Sequence, residues 1–278
     1  MSRRGDIDRH LDALADIGKI MRSMKNLSYM ETRKLVRFLS SQRRVVDGID
    51  AAAQDFLSHY PDLIDEAPEQ ATLWVLIGAE RGFCGSFNQA LLARIDQESD
   101  GMSSRSVRLI PVGSKLGMLL EDDPRVVAKL PGPSAAEDVP AVLNRLVQTL
   151  NRLIADQEGL SLTVQHWDAE RDEIRIVPVL PPFPSDGRRR RPAHPFPPGL
   201  NLVPPAFLGA LVEHSLFAAL HYLFFSSLMA EHQQRVRHLE GALQRVDDRV
   251  RELRLRRNVL RQEEITEEIE LILLNLLP

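Results

Sequence analysis

The stretch from residue 239 to residue 277 reads LEGALQRVDDRVRELRLRRNVLRQEEITEEIELILLNLL and contains no proline. Its leucine, valine and isoleucine residues recur every three or four positions, which is the spacing of one face of an α-helix. This apolar seam consists of Leu239, Leu243, Val246, Val250, Leu253 and Leu260, and then shifts by one place to Ile265, Ile269, Ile272 and Leu276. Such a shift is a stutter, which changes the supercoil of a coiled coil locally. Because no proline occurs between Pro205 and Pro278, we expect one long helix over 206–278.

The first 60 residues carry the same pattern. Their apolar residues follow a heptad spacing at Leu14, Ile17, Met21, Met24, Leu35, Phe38, Val45, Ile49 and Ala52. Together with the absence of proline before Pro61, this pattern predicts one helix from about Ile7 to His59. Helices of ~50 and ~70 residues are ~75 and ~105 Å long, whereas a domain of ~140 residues has a radius of gyration of only ~14 Å. The two helices are therefore expected to pair with each other and to lie inside a larger assembly.

The middle of the chain alternates between strand and helix patterns. Runs typical of strands cover 73–78, 107–113, 126–130, 160–167 and 174–180, and helical patterns cover 88–96, a short segment from Ser114, and 139–156. A turn is expected near 169–172. Alternation of this kind favours a small α/β domain with a largely parallel sheet. The predicted domains are an N-terminal helix over 1–60, a central domain over 61–205 and a C-terminal helix over 206–278.

A loop is predicted at the end of the central domain. Residues 181–205 read PPFPSDGRRRRPAHPFPPGLNLVPP, and a proline density this high excludes regular structure. The Arg188–Arg191 run within the loop is either a solvated charge cluster or a contact for an acidic subunit or an anionic membrane surface.

Composition and motifs exclude several classes of protein. The 278 residues are 44% hydrophobic and 5% aromatic, which excludes a disordered chain and favours long helices. Cys84 is the single cysteine, so no intramolecular disulfide or cysteine-rich metal site can form, and we expect its thiol to be buried. No phosphate-cradling, Ser-His-Asp or HExxH motif is present, so we expect no catalysis and no cofactor or metal. The apolar run Leu216–Ala230 is shorter than the ~20 residues that span a bilayer, which predicts a soluble, cytosolic protein.

The formal net charge of −4 conceals two basic segments. From Lys19 to Arg44 there are eight basic residues and one acidic residue, and from Arg235 to Arg261 there are nine basic and four acidic. Two basic helices that pair would repel each other unless an acidic or phosphate-bearing partner surrounds them. A solvated coiled coil and a nucleic-acid complex are the alternatives to an acidic protein partner.

Three separated blocks of sequence resemble the gamma subunit of F-type ATP synthases, over nearly the whole chain. Residues 17–25 (IGKIMRSMK) are similar to the family's "ITKAM" stretch, and residues 80–88 (ERGFCGSFN) to its "DRGLCGGLN", with 112–115 (VGSK) matching "IGSK". Near the C-terminus the matching residues are Glu231 and Arg235 for "SEQAARM", and Asn258, Arg261, Gln262, Ile265 and Thr266 for "YNKARQASIT".

The resemblance implies a rotor. In this family the two terminal helices form an antiparallel coiled coil, the shaft, inside a hexamer of alternating alpha and beta subunits. A small Rossmann-like α/β domain lies at the foot, against the epsilon subunit and the ring of c subunits. ATP is made or hydrolysed on the hexamer, so this chain would be a non-catalytic subunit without a cofactor, present in one copy. It would lie peripherally at the cytoplasmic face of the bacterial plasma membrane, attached through the c ring, with no nucleic acid bound.

The resemblance also implies roles for particular residues. Subunit contact and coupling are expected of Met24, Lys25, Arg81, Arg235, Asn258, Arg261, Gln262 and Thr266. Arg261 and Gln262 would form a hydrogen-bonding catch on a beta loop, and the turn that carries Arg81 would approach the lower rim of beta. Across the coil, Met24 would pack against Arg235 and Thr266.

The chain departs from the family at several positions. They are Glu31, where a lysine is usual, Glu80 in place of aspartate, Ser86 in place of glycine, and Arg257 in place of tyrosine. An alternative function from another class is a free-standing coiled-coil adaptor with an α/β head, which would bind nucleic acid or protein through its basic helices.

Overall fold

The computed structural model of the chain describes residues 3–63, 71–99, 107–154, 160–183 and 196–276. Its helices are α1 (Arg3–His59), α2 (Phe87–Ser99), α3 (Ser114–Leu119), α4 (Val139–Ile154) and α5 (Pro204–Leu276), with 3-10 turns at Pro61–Leu63 and Ala136–Asp138. The strands are β1 (Ala71–Ile77), β2 (Val107–Val112), β3 (Leu160–Asp168) and β4 (Glu173–Leu180). Contacts divide the chain into two compact units: residues 30–234, here called the head unit, and residues 1–29 with 235–278, here called the coil unit.

Both predicted long helices are present. α1 begins four residues before the predicted start and ends at His59, as predicted. α5 begins at Pro204, where proline is tolerated because N–H groups of the first turn have no acceptor within the helix. By length and composition α5 is also the one helix among the described residues that could cross a membrane. That is weak evidence for a membrane span, because a helix that packs against a sheet needs the same apolar residues.

The head unit contains a four-stranded sheet in the order β2-β1-β3-β4. β1 pairs in parallel with β2 and β3, and β4 joins antiparallel to β3 after a turn at residues 169–172. The prediction of a small, largely parallel α/β sheet is therefore confirmed. The Arg188–Arg191 run and residues 155–156 of the predicted helix lie outside the described residues.

The predicted strand at 126–130 is wrong. This segment touches the edge of β2 through only two isolated bridges, Leu109 with Val126 and Val112 with Leu130. Pro111 lies between these bridges and accepts a bond from the Leu130 N–H at its carbonyl, but proline has no N–H to donate in return. The ladder is interrupted at that point, so the segment remains a loop along the strand.

Helices cover both faces of the sheet. One face packs Leu73, Val75 and Ile77 of β1 against residues of α1, α4 and α5, including Leu39, Leu143 and Phe224. The opposite face packs Trp74 and Leu76 against Ile95 of α2 and Leu116 of α3. Alternate residues of β1 thus enter different cores, as expected for a strand covered on both sides.

The coil unit is an antiparallel pair of helices. Ion pairs join Arg4 to Glu264 at 3.0 Å and Arg257 to Asp8 at 3.5 Å. Further along α1, Lys25 pairs with Glu240 at 3.4 Å. Residue numbers rise along α1 as those of their partners fall along α5, which shows that the helices run in opposite directions.

The apolar seam of α5 is buried only where α1 lies opposite. Leu239, Leu243 and Leu253 are buried, whereas Ile265, Ile269 and Ile272 are about half exposed. The reason is the register, because Glu264 already pairs with Arg4 near the start of α1. From Ile269 onward the shifted part of the predicted seam therefore lies beyond the α1 residues that the structure describes.

Candidate functional site

The turns at the carboxyl ends of β1 and β2 are held together by Glu80. Its carboxylate accepts hydrogen bonds from the Ser114 N–H at 2.8 Å, the Ser114 hydroxyl at 2.8 Å and the Gly132 N–H at 2.7 Å. A single side chain thus joins the turn after β1 to the start of α3 and to the loop before α4. Bonds to a carboxylate are stronger than those between neutral groups, so Glu80 rigidifies this edge of the sheet.

The glycine of the VGSK stretch, Gly113, has a backbone conformation that other residues rarely adopt. Its φ is +123°, a region that L side chains rarely adopt, and a Cβ at this position would lie 2.7 Å from the Gly78 carbonyl oxygen. The turn after β2 therefore needs glycine both for its backbone conformation and for the close approach of the turn after β1.

Helix α5 contacts the same edge of the sheet through polar side chains. Glu231, only 4% exposed, accepts long hydrogen bonds from the N–H groups of Glu80 and Arg81, at 3.4 and 3.5 Å. One turn earlier the Ser227 hydroxyl donates to the Ile77 carbonyl at 3.1 Å, and the Ser226 hydroxyl accepts from the Ala169 N–H at 3.2 Å. The end of β1 is thereby tied to α5 in a defined orientation.

Arg81 and its neighbours form an exposed turn. The Arg81 Nε donates to the Ser134 hydroxyl at 3.2 Å while the side chain stays accessible to solvent. Phe83 is 54% exposed and has a φ of +64°, which is unusual for a bulky residue. Cys84 is buried with Ala79, Phe87 and Leu91, so the expectation of a buried thiol is confirmed.

Glu31 and Lys34 connect α1 to the turn before α4. The Lys34 ammonium contacts the carboxylates of Glu31, at 3.3 Å, and Glu137, and the Ala136 N–H donates to Glu31 at 3.5 Å. The bond to Glu137 raises the pKa of Lys34, with a further contribution from Glu31, and the bond to Lys34 lowers the pKa of Glu137. Glu31, at the position where the family usually has a lysine, is therefore paired within this chain by Lys34 and Ala136.

The structure places Arg81 in the head unit and the other seven residues expected to act in coupling at two levels of the coil unit. Met24 packs with Met21, Leu239 and Leu243, and Lys25 pairs with Glu240. Arg235 is buried, one helical turn before Leu239. Asn258, Arg261, Gln262 and Thr266 are all exposed on α5. Because residues three and four apart share a helix face, Asn258, Arg261 and Gln262 form one accessible ridge.

The expected packing of Met24 against Thr266 is wrong. Thr266 lies twenty residues beyond Val246, the last α5 residue of the cluster around Met24, which is ~30 Å along a helix at ~1.5 Å per residue. Its hydroxyl donates instead to the Gln262 carbonyl of its own helix at 2.9 Å. The antiparallel register, which pairs Arg4 with Glu264, places Thr266 opposite the beginning of α1.

The expectation of subunit contact and coupling stays a prediction for all eight residues: Met24, Lys25, Arg81, Arg235, Asn258, Arg261, Gln262 and Thr266. Reasoning from the sequence missed Glu80 and the pairing of Glu31 and Lys34 with residues 136–137 as elements of the site. Glu80 could have been found from the sequence, because a carboxylate shortly after a buried strand is a signal for a site residue. Glu31 could not, because its contact with Ala136 joins residues more than a hundred positions apart along the chain. Within the described ranges, no group of three histidine, cysteine, aspartate or glutamate side chains could hold a metal ion.

Comparison with known proteins gives consistent matches over most of the chain. The sequence model of the family described as ATP synthase matches residues 4–273. The chain is 24% identical to the ATP synthase gamma chain of Pelotomaculum thermopropionicum, over 95% of this chain and 94% of the relative. It is 23% identical to the ATP synthase gamma chain of Helicobacter pylori strain G27, over 97% and 96% of the two chains.

Two solved structures share the fold. A chain of the Euglena gracilis mitochondrial ATP synthase rotor, in rotational state 1, matches with a TM-score of 0.55 and 14% identity, over 94% of this chain and 98% of that chain. A chain of the central stalk and c-ring of the Tetrahymena thermophila mitochondrial ATP synthase matches with a TM-score of 0.58 and 15% identity, over 80% and 99%.

Proposed function

The chain belongs to the ATP synthase family as a gamma chain, the rotor of the central stalk, and we propose that it couples ion flow to ATP chemistry by rotating inside a hexamer of alpha and beta subunits. One copy would turn within each complex. The proposed domains are shaft helices over 1–60 and 206–278, and a foot over 61–205.

The surface of the coil unit is the observation that carries this proposal. Large apolar side chains are exposed on both helices, among them Ile17, Ile20, Leu27, Val259 and Ile265. Ile17 and Ile20 are one helical turn apart on α1, and exposed apolar side chains grouped on one helix face are typical of a protein contact. Segments 19–44 and 235–261 of these helices carry an excess of positive charge, which favours acidic protein surfaces around them.

The chain itself is proposed to be a non-catalytic subunit. Its sequence contains no phosphate-cradling motif, and the turn after β1 ends in Gly85-Ser86-Phe87 rather than in the Gly-Lys-Ser or Gly-Lys-Thr that holds a triphosphate. Nucleotide binding and hydrolysis are therefore assigned to the alpha and beta subunits.

The remaining partners are proposed from family membership. The head unit would contact the epsilon subunit and the c ring, and the chain would be a peripheral protein at the cytoplasmic face of a bacterial plasma membrane, held there through the c ring. Arg81, in the exposed turn after β1, would face the lower rim of a beta subunit.

Arg261 and Gln262 are proposed as the catch that a beta loop grips. Both are exposed and adjacent to Asn258 on one ridge, so their hydrogen-bonding groups are available to a partner. Met24, Lys25, Arg235 and Thr266 would act on coupling less directly, Met24 and Lys25 through the packing and ion pairs of the coil.

Replacement of the catch tests this assignment. In a complex reconstituted with alpha, beta, epsilon and the membrane sector, Arg261→Ala with Gln262→Ala should lower the number of ions pumped per ATP hydrolysed by about threefold or more, the scale of a lost interface contact. Arg254→Ala with Arg256→Ala, which removes two exposed arginines from the same helix, is the matched control. Equal coupling in the catch variant and the wild type would contradict the role of the catch. Salt-dependent binding of nucleic acid by a free homodimer would favour the adaptor function instead.

A further inference from the structure

A continuous series of polar contacts crosses the head unit from α5 to α1. It begins at Glu231, whose buried carboxylate accepts the N–H groups of Glu80 and Arg81. A carboxylate that is almost completely removed from water depends on such partners, because an unpaired buried charge is costly. The turn after β1 is therefore held against α5 at this residue.

The series continues from the turn after β1 to the loop before α4. Arg81 donates from Nε to the Ser134 hydroxyl at 3.2 Å, and Glu80 accepts from the Gly132 N–H at 2.7 Å. The Ser134 N–H in turn donates to the Asp138 carboxylate at 3.0 Å. Movement of the turn thus moves residues 132–138 with it.

The series ends on α1. Ala136 donates its N–H to Glu31, and Lys34 bridges the carboxylates of Glu31 and Glu137. We call the six residues Glu31, Lys34, Arg81, Ser134, Glu137 and Glu231 the collar.

The collar occupies a particular level of the two long helices. The head unit takes in α1 from Met30 onward and α5 as far as Gln234. Glu31 and Lys34 therefore lie in the first turns of the α1 segment of the head unit, and Glu231 lies in the last turn of its α5 segment. The collar contacts each helix at the end of its segment within the head unit.

The hydrogen bonds and ion pairs of the collar restrain how the two long helices can rotate within the head unit. Most of the packing between the helices and the sheet is apolar, and it resists rotation of a helix through the shapes of the interlocked side chains. Hydrogen bonds and ion pairs require particular distances and angles. The collar contacts therefore add directional restraints on the rotation of α1 and α5 relative to the strand-end turns, beside the contacts of Ser226 and Ser227 on α5.

We propose that the collar transmits torque between the head and the two shaft helices, and that Lys34 and Glu231 are positioning residues for coupling. This proposal rests on the rotor function proposed above. Loss of the collar leaves ATP hydrolysis in place but lets the helices twist against the head, so that part of each rotation is not transmitted.

The test uses Lys34→Met and Glu231→Gln in the reconstituted complex, with ATP-driven ion pumping, ATPase rate and melting temperature of the complex measured together. The ions pumped per ATP should fall by about twofold for Lys34→Met, which breaks partly exposed ion pairs, and by about fivefold for Glu231→Gln, which alters a buried acceptor. The ATPase rate should stay within about twofold of the wild type.

Conservative and matched variants separate positioning from stability. Lys34→Arg keeps a cation between the two carboxylates and should restore coupling. The exposed residues Asp47 of α1 and Glu213 of α5 provide the controls Asp47→Asn and Glu213→Gln, which should leave coupling unchanged. Lys34 is partly exposed, so Lys34→Met should assemble with an unchanged melting temperature even if Glu231→Gln does not.

Wild-type coupling in assembled Lys34→Met complexes overturns the proposal, as does a fall in coupling that Lys34→Arg does not restore. Failure of the rotor function itself has a different signature, because the wild-type chain would then fail to support ATP-driven pumping with alpha and beta subunits.

Discussion

Glu80 offers a quantitative test of how the strand-end turns are held. Replacement by alanine removes all three bonds that its carboxylate accepts, from Ser114 N–H, Ser114 Oγ and Gly132 N–H. We expect each of the three bonds to contribute ~1 kcal/mol, a modest value because two of them are exposed to solvent. Glu80→Ala should therefore lower the free energy of unfolding by ~3 kcal/mol.

Glu80→Gln should be much milder, because the amide can retain the geometry. Both backbone N–H groups donate to Oε2, a position that the amide oxygen can occupy, while the Ser114 hydroxyl contacts Oε1 and can accept from the amide NH₂. Only the charge is lost, and charge-assisted bonds are roughly twice as strong as neutral ones, so a loss of ~1 kcal/mol is expected.

Urea denaturation of the full chain measures both values. The two tryptophans, Trp74 and Trp167, lie in the head unit, so their fluorescence reports the unfolding of the region that contains Glu80. With a slope of ~2 kcal/mol per M, the midpoint should fall by ~1.5 M for Glu80→Ala and by ~0.5 M for Glu80→Gln. Equal shifts for the two variants, or a shift below ~0.5 M for alanine, would refute the assignment of three carboxylate bonds.

Three further predictions follow from individual contacts. Gly113→Ala should cost at least ~2 kcal/mol in the same urea assay, because the backbone is strained and a Cβ meets the backbone of the neighbouring turn; an unchanged midpoint would contradict the positive φ. Burial lowers the pKa of His166 from 6.5 to about 4, so the unfolded chain binds more protons than the folded chain between these values. Stability should therefore fall by ~3 kcal/mol as the pH drops from 6.5 to 4, and His166→Phe should flatten that fall in urea titrations across this range. A homobifunctional maleimide should join Met24→Cys to Leu243→Cys but not to Thr266→Cys; the reverse pattern on a denaturing gel would contradict the antiparallel register.

The long helices and most of the sheet could be predicted because their signals are local. The absence of proline and the spacing of apolar residues predict both ends of α1 and the start of α5 to within four residues of the ends in the structure. The strands other than 126–130 follow from short apolar runs. The strand predicted at 126–130 does not form because Pro111 in the neighbouring strand interrupts the ladder of hydrogen bonds. The apolar pattern of a segment does not show whether the neighbouring strand has the N–H groups to pair with it.

The contacts of the site could be predicted only in part, since they join residues that are distant along the chain. The register of the coil depends on pairs such as Arg4 with Glu264, which sequence periodicity leaves open by whole heptads. The prediction that Met24 lies in the seam of the coil is confirmed, whereas the predicted contact between Met24 and Thr266 is wrong. Glu31 shows the same limit, because its role depends on a turn more than a hundred residues later.

Observation of rotation tests the central claim most directly. A bead attached at Met118→Cys, on the exposed surface of α3, in a Cys84→Ala background would report movement of the head unit in a complex with immobilised alpha and beta subunits. The rotor function predicts sustained rotation in one direction that begins when ATP is added and stops when it is exhausted. ATP hydrolysis by the assembled complex without rotation of the bead would contradict it.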